Sequence, residues 1–137
     1  MCGASSGGER GVPVYWVMIG VAGAAGAVAR LLIGACISGR PCGRTFPWGT
    51  FAVNVSGSFL LGLLTGLVAG GGLLGSEAKT VLGAGFLGAY TTFSTWQLDL
   101  YQSLRRGDRR TALANLALTT GSGLMAAWAG LAVGGWT

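Results

Sequence analysis

Histidine is absent from the 137 residues, and there are only four carboxylates and nine cationic side chains. Without histidine the chain lacks the commonest general base and metal ligand. The three cysteines, Cys2, Cys36 and Cys42, have no metal-ligand spacing. Cys36 and Cys42 flank an expected loop and are read as free thiols at a membrane edge in preference to a disulfide. No paired carboxylates are set up for acid–base work, so an enzyme is not expected. Charge is scarce, at 9% of residues where a soluble domain has about a quarter. Such a chain has too little polar surface to face water all round. With 3 prolines, and 27 glycines that follow no Gly-X-Y period, collagen is excluded.

Apolar length is what the chain has instead. Hydrophobic residues make up 51% and the mean hydropathy is +0.60. Four apolar spans, at about 14–37, 48–70, 80–103 and 111–133, each have the ~20 residues that cross a ~30 Å hydrocarbon core. The expectation is an all-α, multi-pass membrane protein of the cell membrane. Residues 1–13 form a disordered polar tail and residues 14–137 one four-helix domain. The first span is too long for a signal-peptide core and is read as retained. Glycine inside the spans suits helices that approach closely. The net charge of +5 follows from topology and not from nucleic-acid binding, because the basic residues sit between spans. Arg40, Arg44, Arg105, Arg106, Arg109 and Arg110 fall on one side, and only Arg10 and Lys79 on the other. The positive-inside bias then puts both termini outside the cytoplasm.

Several residues are out of place in lipid. Arg30 in span 1 costs roughly 2.5–3.5 kcal/mol at a bilayer centre. It either snorkels to the interface or stands as a cation at the mouth of a water-filled vestibule; no acidic residue in the first two spans neutralises it. In span 2, Asn54, Ser58, Gly62, Gly66 and Gly70 are spaced by four, a small-residue packing row. Asn54 is either an interhelical hydrogen-bond donor or a group facing an ion. In span 4, Asn115, Thr119 and Gly123 repeat that spacing, and Thr119 reads either as part of this polar row or as bonding back to its own helix.

Span 3 is the least like a lipid-facing helix. Its Gly83-Ala-Gly85-Phe-Leu-Gly88 matches a dinucleotide-binding glycine pattern, with Asp108 twenty residues on, but no βαβ unit surrounds it. Tyr90-Thr91-Thr92-Phe93-Ser94-Thr95-Trp96 packs four Ser/Thr hydroxyls and three aromatics into seven residues. An interruption is expected around Thr91–Thr95, since such hydroxyls compete for backbone hydrogen bonds. Broken backbone at membrane depth is tolerated inside protein or beside water, where freed carbonyls can hold a cation. Phe93 and Trp96 share a face, and their positive ring edges suit either an anion or an aromatic packing cluster. Asp99 reads as a solvated or paired charge near the end of the span.

Three segments carry a resemblance. Gly23-Ala-Ala-Gly26-Ala27-Val-Ala-Arg30, Gly49-Thr50-Phe51-Ala-Val53-Asn54-Val-Ser-Gly57-Ser-Phe59 and Gly85-Phe86-Leu-Gly88-Ala-Tyr-Thr91-Thr92-Phe93-Ser94-Thr95 resemble, in order and spacing, the signatures of the Fluc/CrcB fluoride-channel family. The resemblance runs from residue 14 to the end. It implies passive export of fluoride through an antiparallel dimer with two pores and a central structural sodium ion (Na+). It assigns the sodium carbonyls to Gly88 and Thr91, and the aromatic box to Phe93 and the Trp96 position. The polar lining falls to Asn54, Ser94, Thr95 and Thr119, and the vestibule cation to Arg30.

The chain departs from the family pattern at Ala22 (for glycine), Leu31 (for tyrosine) and Trp96 (for phenylalanine). The indole is larger than a phenyl ring and adds a true donor. The six-to-two basic bias favours one fixed orientation, whereas an antiparallel homodimer needs each chain to insert both ways. The partner is therefore either a second copy or a related subunit of opposite orientation. Two other classes compete: a small four-helix multidrug exporter, disfavoured by Arg30 where an acid is wanted, and a non-conducting membrane scaffold.

Overall fold

A computed structural model describes residues 11–39, 46–69 and 75–136. The described residues are helical, with no strand: α1 (Gly11–Ser38), α2 (Trp48–Ala69), α3 (Ser76–Thr80), a π-helical stretch (Val81–Leu87), α4 (Gly88–Tyr90), α5 (Phe93–Arg105) and α6 (Arg109–Gly135). α1, α2 and α6 are each long and apolar enough to cross a membrane. The remaining crossing is jointed, running from α3 through the wide turns and α4 to α5. Four crossings with an interrupted third is the architecture expected from the sequence.

The boundaries differ in instructive ways. α1 begins at Gly11, so the last three residues of the expected tail, Gly11–Pro13, are helical. Proline is tolerated there because first-turn N–H groups have no intrahelical acceptor. The third crossing begins at Ser76 instead of Thr80, and α6 extends two residues past each expected end. Its start is fixed by Asp108, whose Oδ1 accepts from the Thr111 N–H at 3.0 Å. Gly107, at φ +78°, makes the preceding turn in a conformation that favours glycine. Arg10, Arg40, Arg44, Cys2, Cys42 and Gly70 lie outside the described residues; Cys36 is exposed near the end of α1.

Packing is inverted relative to a soluble protein. Large apolar side chains such as Trp16, Val21, Leu32, Leu124 and Trp128 are exposed, while Asn115, Ser103, Thr92 and Thr119 are buried. That distribution suits a hydrocarbon solvent, where polar groups need partners and leucine gains little from burial. α2 lies along α6, and α1 lies against the π-helical stretch and α4. The α2–α6 contact is backbone on backbone. A Cβ on Gly62 would collide with the Ala127 carbonyl, and one on Gly130 with the Phe59 carbonyl. The spacing-of-four row therefore splits. Gly62 and Gly66 face α6, whereas Asn54 faces the jointed crossing.

Candidate ion pathway

The joint is made by hydroxyls and one amide. The chain leaves helical geometry at Thr91 (φ −74°, ψ 155°) and Thr92 (φ −143°, ψ 111°). The interruption is thus two residues long, shorter than the Thr91–Thr95 stretch expected. Phe93, Ser94 and Thr95 already form the first turn of α5. Thr92 caps that turn: its Oγ1 accepts from the Thr95 N–H at 3.2 Å and donates to Thr95 Oγ1 at 2.8 Å. The signal was a threonine three residues before another, a local side-chain-to-backbone cap.

Asn54 fixes the same residue from α2. Its Oδ1 accepts from the Thr92 N–H at 2.9 Å, and its Nδ2 donates to the Thr92 carbonyl at 3.1 Å. Only one amide orientation satisfies both bonds, so the network sets it. Asn54 is therefore an interhelical hydrogen-bonding residue. It also lines a cavity. Gly57, one turn later on α2, permits the approach, because a Cβ there would meet Thr91 and the Tyr90 ring. Tyr90 is buried, and its hydroxyl and Ser56 Oγ lie 2.9 Å apart, a second tie between α2 and the joint.

These bonds strip two carbonyls of their helical donors. The Gly88 carbonyl would normally accept from the Thr92 N–H, which goes to Asn54. The Thr91 carbonyl would normally accept from the Thr95 N–H, which goes to Thr92 Oγ1. Gly88 and Thr91 are the two residues expected to offer backbone oxygen to a cation. Both line a cavity of about 310 Å³ together with Asn54, Ser58, Thr92 and Phe93. Among the described residues no cluster of His, Cys, Asp or Glu could hold a metal ion. An oxygen donor set of carbonyls suits an alkali cation and not a transition metal.

A second cavity, of about 480 Å³, lies on the other side of Thr92. Arg30, Ser38, Thr50, Thr92, Ser94 and Thr95 contribute its polar lining. Arg30 is half-buried on this wall, beside hydroxyls. Thr92 lines both cavities, so the joint stands between them. Phe93 is 66% exposed, and its ring lies 5.5 Å from that of Trp96, tilted by 50°. Trp96 borders neither cavity, and its Nε1 is buried with no hydrogen-bond partner among the described residues. Thr119 is also apart from both: its Oγ1 donates to Asn115 Oδ1 at 2.9 Å within α6. Asp99 sits on α5 with the Thr50 hydroxyl beside its carboxylate, so it is tied to α2 instead of standing free in solvent. Thr50 and Ser56 were not singled out from sequence, and Tyr90 only as an aromatic of its run, because their partners are 34 or more residues away.

The sequence profile described as CrcB-like protein, Camphor Resistance, matches residues 17–131. The chain is 74% identical over 119 residues to a protein of Symbiobacterium thermophilum named fluoride-specific ion channel FluC 1, covering 87% of this chain and 96% of that one. Proteins named fluoride-specific ion channel FluC from Rhizobium meliloti and Acidobacterium capsulatum are each 39% identical. They cover 85% and 87% of this chain, and 93% of their own length. The match spans all four crossings, including both sides of the Asn54–Thr92 contact. The chain is a multi-pass membrane protein and belongs to the CrcB family.

Proposed function

We propose that the chain is a subunit of a fluoride-selective channel that lets fluoride leave the cytoplasm passively. One observation carries this reading: a backbone joint at membrane depth, clamped by Asn54 and walled on either side by a polar-lined cavity. Non-helical backbone is tolerated there only beside protein or water. Arg30 draws anions into the larger cavity, and Ser94 and Thr95 offer hydroxyl donors in place of hydration. Phe93 and Trp96 present ring edges that hold an anion weakly enough to release it. The names carried by the relatives point the same way.

The Gly88 and Thr91 carbonyls are offered to a structural Na+. Two oxygens do not complete a cation site, so a second subunit supplies the rest, in an antiparallel dimer. When bound, the ion supplies positive charge that pins the two joints together. The six-to-two bias of basic residues favours a related, oppositely oriented subunit over a second copy. Fluoride efflux from liposomes holding the purified chain, read with a fluoride electrode against a chloride control, tests the function. No fluoride efflux, alone or with a related subunit, would sink it. Efflux from the chain alone as fast as with any partner would overturn the heteromeric reading only.

A further inference from the structure

Four of the chain's nine cationic side chains stand within six residues: Arg105 and Arg106 where α5 closes, Arg109 and Arg110 where α6 opens. All four are exposed. The backbone between them is a hydrogen-bonded turn, in which the Gly107 N–H donates to the Leu104 carbonyl and the Asp108 N–H to the Ser103 carbonyl, each at 3.0 Å. The turn holds the charges together. Asp108 is the one carboxylate of this segment, and its Oδ1 already accepts from the Thr111 N–H. None of the four guanidinium groups closes an ion pair among the described residues. Arg109 and Arg110 also occupy the first turn of α6, where the helix dipole opposes a cation. The cluster therefore calls for an anion from outside the chain.

What lies beside the charges identifies that anion. On α5, Leu98 and Tyr101 stand seven and four residues before Arg105, share its face and are exposed. Arg105 is stacked over the Tyr101 ring, 5.9 Å from its centroid. Stacking occupies the flat of the guanidinium and leaves its N–H edge free for a bidentate acceptor such as phosphate. On α6 the order is mirrored: Leu113 and Leu116 stand four and seven residues after Arg109, and both are exposed. Each helix thus carries a guanidinium at its end and an apolar stripe below it. Tyrosine at a helix end marks the headgroup level of a bilayer, so the arginines stand among headgroups and the leucines among acyl chains. We propose that the α5–α6 turn is a binding surface for anionic phospholipid. The four arginines hold its phosphates, and its chains lie along the two apolar stripes. The cluster thus does more than set orientation, since a topology signal needs its charge only during insertion. This inference is independent of what the chain conducts.

The test uses the full purified chain in detergent micelles, where membrane orientation plays no part. Native mass spectrometry reads lipid adducts in equimolar dioleoyl phosphatidylglycerol and dioleoyl phosphatidylcholine, which share their chains and differ in charge. The wild type is expected to retain phosphatidylglycerol in preference, and concentrated ammonium acetate should erase that preference by screening. R105Q/R106Q and R109Q/R110Q, made separately, should each weaken retention about 30-fold. K79Q, which removes a cation from the opposite end of the bundle, should leave it unchanged. Inorganic phosphate and glycerophosphoglycerol present the phosphate without the chains, and at equal concentration should not displace the lipid. No preference in the wild type overturns the proposal, and so does a preference that survives salt or persists in both double variants. Displacement by either soluble competitor makes the turn a site for free phosphate, and overturns it too. Loss of dimers from the double variants with no lipid preference assigns the face to a second copy, with the same consequence.

Discussion

Asn54 grips Thr92 at both ends of its backbone, accepting from the N–H at 2.9 Å and donating to the carbonyl at 3.1 Å. As the N-cap of α5, Thr92 has its N–H outside the helical ladder, and one side chain from α2 meets that N–H and adds a donor to the carbonyl. N54A removes both bonds and should cost about 2 kcal/mol locally. Hydrogen exchange at the Thr92 amide should quicken and fluoride flux should fall. Unchanged Thr92 protection in N54A would show that the joint holds itself without α2.

Thr92 has a second task, capping α5. T92V keeps the shape and loses the hydroxyl, at a cost of about 0.5–2 kcal/mol. T92S keeps the cap and should stay close to wild type in thermal unfolding. If T92V and T92S unfold alike, the 2.8 Å and 3.2 Å bonds to Thr95 contribute nothing.

The α2–α6 contact depends on absent side chains. G130A places a methyl against the Phe59 carbonyl and should destabilise by about 1–3 kcal/mol. G121A, on the same helix with nothing within 4 Å, is the control. It should be neutral or stabilising by up to about 1 kcal/mol. Equal melting temperatures for the two variants would mean that the helices are further apart than described.

If Na+ sits on the Gly88 and Thr91 carbonyls, it binds the folded assembly and not the unfolded chain. Stability should rise with sodium concentration, by about 2.7 kcal/mol at a hundredfold excess over the dissociation constant, and the melting temperature with it. An organic cation too large for the site, at equal ionic strength, should give no such rise. A melting temperature indifferent to the identity of the cation would remove sodium from the proposal.

Asp108, at the turn between α5 and α6, has its carboxyl held below the ordinary 3.8, first by the Thr111 hydroxyl and then by the Thr111 backbone N–H. A depressed carboxyl pKa stabilises the fold above the unfolded value, and that contribution is lost as pH falls through the folded one. The first turn of α6 should therefore fray only below about pH 4. D108N, which caps without titrating, should abolish that acid step in amide exchange at Thr111 and Ala112. An acid step that persists in D108N would assign it elsewhere.

Much of this protein can be read along the chain. The apolar spans, the hydroxyl-and-aromatic run and the misplaced Arg30 are local facts, because a bilayer imposes a length and a polarity on every crossing. The position of the joint was legible to within three residues, since Ser and Thr side chains act on backbone nearby. Its extent was not. Phe93, Ser94 and Thr95 turn helical because Thr92 caps them, and Thr92 is fixed by an amide 38 residues earlier. The wide turns at Val81–Leu87 left no separate signal, for their glycines match close packing equally well. Gly85 is in fact pressed against the Ile19 backbone of α1.

The sequence by itself determined the solvent, the number of crossings and which crossing is broken. Those follow from composition and from neighbours within a turn or two. Only the tertiary structure decided which carbonyls are freed and which donors are left over. The Gly88 and Thr91 oxygens lose their partners because Asn54 and Thr92 take the N–H groups they would have used. Trp96 keeps an unspent donor because no acceptor among the described residues reaches it. Hydrogen bonds are exclusive, so the identity of the group left without one depends on every other pairing in the fold.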